Sequence, residues 1–281
     1  MSDQQKYAVR FVRPVVDVVS ERYGDGYGPA ISNNQIIDHI LMHRSIREFT
    51  ADPVSEKDVR TAIAAAQSAA TSSHLQSWSV IRVSDPENKH EVNKLCGRQG
   101  QIMAAPLMLI WLADQNRNYE IGEAEGRPRE AFDYFESTML GVVDCCMAAQ
   151  NAALAFEALG YGTCFIGAVR NNAALLADRL GLPKRCIPVV GLVVGRPDPR
   201  HETDIKPRLS QDIVLHEETY RAVEGDEIDQ YNRVMNRFQQ KQWLSTVNWS
   251  SKVAVRLSTR TSLDGRDRYM DFIKSTGSGV R

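Results

Sequence analysis

No two cysteines in this chain stand at CxxC spacing, and the five present (Cys96, Cys145, Cys146, Cys164 and Cys186) are an odd number scattered through apolar stretches. That pattern excludes a disulfide framework and fits buried, reduced thiols in the cytoplasm. Excess charge is missing too. The 34 basic and 35 acidic residues leave a net charge of -1, without the basic surplus of a nucleic-acid binder. The amino terminus, MSDQQKYAVRFVRPVVDVVSERYG, has no signal-peptide core, because Arg10, Arg13, Pro14 and Asp17 interrupt its apolar run. Nothing approaches the ~20 apolar residues of a membrane span. Neither nucleic acid nor membrane is expected as a partner.

Catalytic signatures are equally scarce. No GxGxxG follows a strand pattern, since GYGTCFIG has the wrong glycine spacing, and there is no Walker A loop or GxSxG elbow. His39 and His43 stand four apart on a helical pattern, the spacing of two zinc ligands. The intervening ILM lacks the glutamate of a metalloprotease, however, and no third ligand is evident. A metal is not expected.

What remains is globular: 281 residues, 43% hydrophobic and 25% charged, enough for one large or two small domains. Residues 1–34 read as an N-terminal extension, an amphipathic stretch followed by the loop YGDGYGPAISNN. Residues 35–281 read as the main domain, with a helical C-terminal excursion at about 226–281. Helical periodicity starts near Asn34, with Ile36, Ile37, Ile40 and Leu41 on one face. Ser55 to Asp58 resembles a capping box opening a second helix. SVIRVSD alternates as a strand should, PLMLIWLAD and CIPVVGLVVG read as buried strands, and GYGTCFIGAVRNN reads as turn, short strand and helix start. NRNYEIGEAEGRPREAF reads as a charged, mobile connection. From about Phe135 to Leu159 runs a small-residue helix with few polar members in its middle, Asp144 and Gln150 among them. A helix apolar nearly all round must be covered all round, in a packed core or a subunit interface. Strands separated by helices predict a layered α/β structure.

Several stretches suit anions and flat ligands. HRSIREF crowds His43, Arg44, Ser45 and Arg47 into one turn, and its guanidiniums suit bidentate phosphate contacts. TSSHLQ offers the hydroxyls of Thr71, Ser72 and Ser73, and GRQGQ sets Gln99 in a glycine-lined loop. FIGA brings backbone amides close to a flat ligand, because Gly167 has no Cβ to block the approach. IKPRLS adds Lys206 and Arg208. Any one of these alone reads equally well as solvated surface. Together they make an anion-binding set without an obvious nucleophile or general base.

In order, HRSIREF, TSSHLQSWSVIRVSD, LGVVDxxMAAQNAxLAxEALGYG, FIGAVRNN, VVGLVVGRP and IKPRLS resemble the FMN-dependent nitroreductase superfamily, over roughly residues 35 to 220. The match is closest to its major oxygen-insensitive NAD(P)H nitroreductases and NADPH–flavin oxidoreductases. The resemblance implies an α+β nitroreductase-like fold: a mixed, mostly antiparallel central sheet flanked by helices, in an intertwined homodimer with residues 1–34 lying on the dimer. It implies FMN as cofactor, its phosphate end held by His43, Arg44, Ser45, Arg47, Lys206 and Arg208. Thr71, Ser72, Ser73 and Gln99 would contribute hydroxyls and an amide, and Phe165, Ile166, Gly167 and Ala168 would pass beside the ring. Ser73, His74, Lys241 and Arg266 would line the substrate and NAD(P)H cavity. No catalytic side chain is implied, since the chemistry belongs to FMN N5.

The implied reaction is ping-pong, two-electron reduction of nitroaromatic compounds to nitroso and hydroxylamine products, with NADH or NADPH as donor. A flavin or a quinone as acceptor, or a non-catalytic flavin-binding dimer, are the alternatives. Two departures bear on specificity. His74 stands where relatives often carry an apolar or aromatic residue. FQQKQWLSTVNW, Phe238 to Trp249, has Lys241 as its only cation where relatives carry an arginine-rich loop that grips the extra phosphate of NADPH. NADH is therefore expected to serve as well as NADPH, unless Arg256, Arg260 and Arg266 compensate.

Overall fold

The computed structural model describes residues 15–24, 31–32 and 34–281, so most of the expected loop YGDGYGPAISNN lies outside the described residues. The chain divides into two compact units, residues 1–44 with 202–262, and residues 45–201 with 263–281. The division does not follow the sequence boundary at residue 34. It also separates the last nineteen residues, 263–281, from the rest of the C-terminal excursion.

The first unit is helical. It holds α1 (Val15–Tyr23), α2 (Gln35–Leu41) and, later in the chain, α9 (Gln211–Val214), α10 (Gly225–Lys241) and α11 (Trp249–Arg256). Asn34 starts α2 by accepting hydrogen bonds from the amides of Ile36 and Ile37 at 3.0 Å each. Its apolar face is not buried as the periodicity suggests: Ile36 is 71% exposed. The helix stops at Leu41, with Met42 as its cap, so His43 lies past its end. His39 and His43 therefore do not share a helix face, and the spacing argument for a paired ligand site fails. α10 is locked onto α11 by Tyr231 against Trp249, edge to face at 5.1 Å, and by paired hydrogen bonds between Asn232 and Ser250.

The second unit carries the sheet. Its other elements are α3 (Glu56–Gln67), β1 (Trp78–Val83), α4 (Pro86–Leu95), α5 (Gly100–Ala104), β2 (Leu107–Asp114), α6 (Asn116–Ala124), α7 (Phe135–Ala158), β3 (Gly162–Ile166), α8 (Ala173–Leu180), β4 (Cys186–Gly195) and α12 (Tyr269–Ser275). All four strands fall where the apolar runs and alternation place them. They pair antiparallel in the order β1-β2-β4-β3. Outside these strands, Ser45 makes an isolated parallel bridge with Thr163.

β2 shows why a continuous apolar run is required. Leu107, Leu109, Trp111 and Ala113 face α3 and α7, while Met108, Ile110 and Leu112 face the layer that includes α4, α5 and α8. Side chains so fully buried contribute about 1.5–3 kcal/mol each. On α7, Ala148, Ala149, Ala152 and Ala153 are buried on the sheet side, and a Cβ at Gly141 would come within 3.1 Å of the Ala113 methyl. Small residues thus bring helix and sheet into close contact. The 24-residue α7 does reach the length and hydropathy of a membrane span, contrary to the expectation from sequence, but its burial against β2 and α3 makes it a core helix. The segment expected to be a charged, mobile connection instead forms α6 and a short 3-10 turn, Glu130–Asp133. There Tyr119 sits under the guanidiniums of Arg129 and Arg185, each 4.4 Å from its ring centre.

Candidate functional site

The HRSIREF segment crosses the boundary between the units after Arg44. Beyond it, the chain is laid against the sheet: the Ile46 amide donates to the Thr163 carbonyl at 2.8 Å, and Thr50 donates to Arg196 at 2.9 Å. Gly162 makes this approach possible, because a Cβ there would lie 2.7 Å from the Cβ and Cγ1 of Ile46. Ile46 is buried and its neighbour Arg47 is exposed. The apolar residue anchors the segment, and the cation faces out.

In the first unit, His43 and Arg44 are linked to the second cationic segment. Along residues 205–208 the side chains alternate, Ile205 and Pro207 buried, Lys206 and Arg208 exposed. Tyr231 fixes this stretch by donating to the Pro207 carbonyl at 2.9 Å. Arg22 of α1, only 6% exposed, donates to the carbonyls of Leu41 and His43 at 2.6 Å and of Lys206 at 2.9 Å. The Arg208 amide in turn donates to the Arg22 carbonyl at 2.8 Å. Two cation-bearing segments far apart in sequence are thereby held together.

TSSHLQ is a strained loop. Ser73, His74 and Gln76 all have positive φ (48°, 57° and 51°), a region that L-residues avoid and that persists only when surroundings enforce it. Asp144, 1% exposed on α7, does the enforcing. It accepts from the Thr71 hydroxyl at 2.5 Å and from the amides of Ser72 and Ser77 at 2.9 and 3.1 Å. Thr71 is therefore turned inward, its oxygen also accepting from the Gln76 amide at 2.9 Å. Ser73 and His74 are exposed. His74 lines an open cleft of about 690 Å3 together with Ile63, Leu75, Trp78 and Ile121.

Gln99 caps α5 just after Gly97 and Arg98, both with positive φ. Its amide nitrogen donates to the Cys96 carbonyl at 3.3 Å and its oxygen accepts from Gln101 at 2.6 Å. A primary amide has a second donor and a second lone pair beyond these.

At the end of β3, Ile166 and Ala168 are buried, which leaves their backbone as the part able to meet a ligand, whereas Phe165 and Gly167 are half-buried. A Cβ at Gly167 would lie 3.4 Å from the Arg170 guanidinium and 3.7 Å from that of Arg266. Open backbone and two cations therefore meet at this strand end. Arg170 is fastened to the Val189 carbonyl, and Arg266 to the Leu263 carbonyl at 2.9 Å and Asp264 at 3.1 Å. Lys241, the single cation of residues 238–249, is the last residue of α10 rather than part of a loop, and pairs with Asp204 at 3.0 Å.

Three important residues escape sequence inspection. Arg22 lies in a stretch read as an extension, with nothing local to mark it. Arg170 was within reach, inside FIGAVRNN. Asp144 carried the best signal, an acid in the small-residue middle of a helix, but its target 73 residues away was not visible. Among the described residues no group of three or more His, Cys, Asp or Glu side chains comes together as a metal site would need.

Comparison with known proteins follows the same pattern. Residues 40–196 match the nitroreductase family and residues 206–281 its C-terminal domain. The chain is 38% identical over 228 residues to the NAD(P)H FMN reductase of Bacillus subtilis, covering 79% of this chain and 90% of that one. It is 34% identical over 240 residues to the oxygen-insensitive NADPH nitroreductase of Salmonella typhimurium, covering 85% and 90%. The solved structure of the NADPH:FMN oxidoreductase of Vibrio harveyi complexed with NAD+ superposes with a TM-score of 0.78 at 33% identity, over 88% of this chain and 100% of that one. By sequence along nearly its whole length and by fold, this chain belongs to the nitroreductase family.

Proposed function

We propose that this chain is an FMN-dependent NAD(P)H oxidoreductase that reduces nitroaromatic compounds to nitroso and hydroxylamine products. One observation carries the reading: the backbone at His43, next to Arg44, is tied through Arg22 to the segment presenting Lys206 and Arg208. The donor set fits the cofactor. Guanidinium and ammonium groups match a phosphate dianion, with Arg able to bind it bidentately. The Cβ-free backbone at Gly167 suits the edge of a flat ring. His43, Arg44, Ser45, Arg47, Lys206 and Arg208 would hold the phosphate end. Ser72, Ser73, Gln99 and the backbone of residues 165–168 would orient the ring, and Thr71 would act through Asp144 by shaping the loop. Ser73, His74 and Arg266 would face the donor and acceptor. When bound, the flavin supplies the two-electron exchange between nicotinamide and acceptor. The protein's share is orientation, positive potential and a shaped cavity.

Substituting Arg44→Ala and Arg208→Ala should each weaken FMN binding about tenfold or more, the value of one charge-assisted contact. If both variants purified yellow with wild-type FMN occupancy, the phosphate assignment would be wrong. Anaerobic mixing with NADH and with NADPH should bleach the bound flavin. A flavin that stays oxidised would leave a non-catalytic binding protein. With Lys241 already paired to Asp204, NADH is expected to serve as well as NADPH.

A second reading, reduction of free flavin or of quinones, is favoured by the identity to an FMN reductase. Steady-state kinetics separate the two, since free FMN acting as a competitive acceptor indicates the flavin reductase.

A homodimer is part of the proposal. α7 presents Phe135, Met139 and Val143 on one face, each 40–44% exposed, with Cys146 exposed one turn further on. Such a face on a core helix suits a second copy of the chain. The five cysteines, an odd number with four of them buried, suit a reducing, cytoplasmic setting.

A further inference from the structure

The family match begins at residue 40, so α1 (Val15–Tyr23) lies ahead of it, yet this helix supplies the group that joins the two cationic segments. We infer that Arg22 is a positioning residue for phosphate recognition, making the cofactor site of this chain dependent on an N-terminal helix that lies ahead of the family match. The inference rests on the FMN reading of the site.

The geometry assigns Arg22 a specific task. Its guanidinium is buried and donates to carbonyls on both sides of the junction: Leu41 and His43 at 2.6 Å, and Lys206 at 2.9 Å. The His43 and Lys206 carbonyls belong to residues whose side chains are among those assigned to the phosphate. The Arg22 carbonyl also receives the Arg208 amide at 2.8 Å, so main chain and side chain of one residue engage both segments. The planar, forked donor set of arginine suits several carbonyls at once, whereas lysine offers a compact point charge. The helix itself is held at its end, because a Cβ at Gly24, where φ is +81°, would meet Val234 of α10 at 2.7 Å. The position of the Arg22 carbonyl and guanidinium thus sets the separation of the segments that carry His43 and Arg44 from those that carry Lys206 and Arg208. A ligand bearing a phosphate will sense that separation. A ligand without one will not.

The test compares FMN with riboflavin, which differ only in the phosphate. The full-length chain, stripped of flavin, is titrated with each by fluorescence quenching, as wild type, Arg22→Met and Arg22→Lys. Circular dichroism confirms that each variant is folded. The wild type should prefer FMN. Arg22→Met should lower FMN affinity about tenfold or more and leave riboflavin affinity unchanged, with Arg22→Lys in between. A wild-type preference kept intact in both folded variants, or equal losses for the two ligands, would overturn the inference while leaving the FMN reading standing. A wild type that bound riboflavin as tightly as FMN would bring down the phosphate assignment, and this inference with it.

Discussion

The hydroxyl of Thr71 donates a 2.5 Å hydrogen bond to Asp144, a carboxylate 73 residues further along the chain and buried in the middle of α7. The same carboxylate accepts the amides of Ser72 and Ser77, so one side chain of a core helix holds the ends of a loop whose middle is bent into left-handed backbone. Loop shape here is decided from beneath.

Asp144→Asn keeps the volume but turns one acceptor oxygen into a donor facing N–H or O–H groups. Loss of one charge-assisted bond costs about 1.5–3 kcal/mol, and the opposed donor adds to it. Urea denaturation should show a clear drop in midpoint, since all three donors to the carboxylate are disturbed, whereas Thr71→Val removes one of them together with the acceptor of the Gln76 amide. Equal midpoints for wild type and Asp144→Asn would show that the loop does not depend on the carboxylate.

Gly162→Ala adds a methyl where Ile46 already stands 2.7 Å away. Overpacking of this kind costs about 1–3 kcal/mol, and here it must move either β3 or the HRSIREF segment. Reduced stability together with weaker FMN binding is expected. An alanine variant that matched wild type in both thermal melting and flavin titration would mean the contact is soft.

Burial pushes the Cys96 and Cys186 thiols up to about 12 from an ordinary 9.0, and raises Cys145 as well. The unfolded thiols ionise above pH 9, while the folded ones stay protonated until about 12. Their contribution is therefore complete below pH 9 and falls as pH rises toward 12. At pH 10 the loss is about 1.4 kcal/mol for each of Cys96 and Cys186. Urea midpoints at pH 8 and pH 10 should differ accordingly, and Cys96→Ala with Cys186→Ala should reduce the difference. A slope untouched by the double variant would point to other groups.

Val143→Arg places a cation on the uncovered face of α7, where wild-type Val143 is 44% exposed. If that face pairs with a second copy, two buried guanidiniums would oppose each other and the dimer should dissociate. Light scattering after size exclusion reads the result directly: a dimeric wild type and a monomeric variant. A variant with wild-type mass would place the dimer contact elsewhere.

The strands were readable in the sequence because each leaves a local mark. PLMLIWLAD is apolar up to its final Asp114 since β2 is covered on both faces, and SVIRVSD, with Val80, Ile81 and Val83, marks β1, half-buried along most of its length at the sheet edge. The α3 cap was readable for the same reason, with Ser55 accepting from the Asp58 amide at 3.0 Å. Asp58 does not complete the box. Its carboxylate accepts from the Tyr161 hydroxyl at 2.7 Å, a contact across 103 residues that no local pattern could announce. Periodicity also misled at α2, where Ile36 and Ile40 line up on one face yet remain exposed. Periodicity says which residues share a face, not whether anything covers it.

Residue order alone determined the strands, the close packing of α7 and the identity of the cationic segments, because these follow from side-chain size, polarity and period over a few turns of chain. Tertiary structure decided how those segments meet: Arg22 joining residues 41–43 to 206, Asp144 bending the loop at 71–77, and Gly167 lying open beside Arg170 and Arg266. Each of these is a contact between groups far apart in sequence. Hydrogen bonds and steric fit act over a few ångströms of space, and only folding brings such groups within that range.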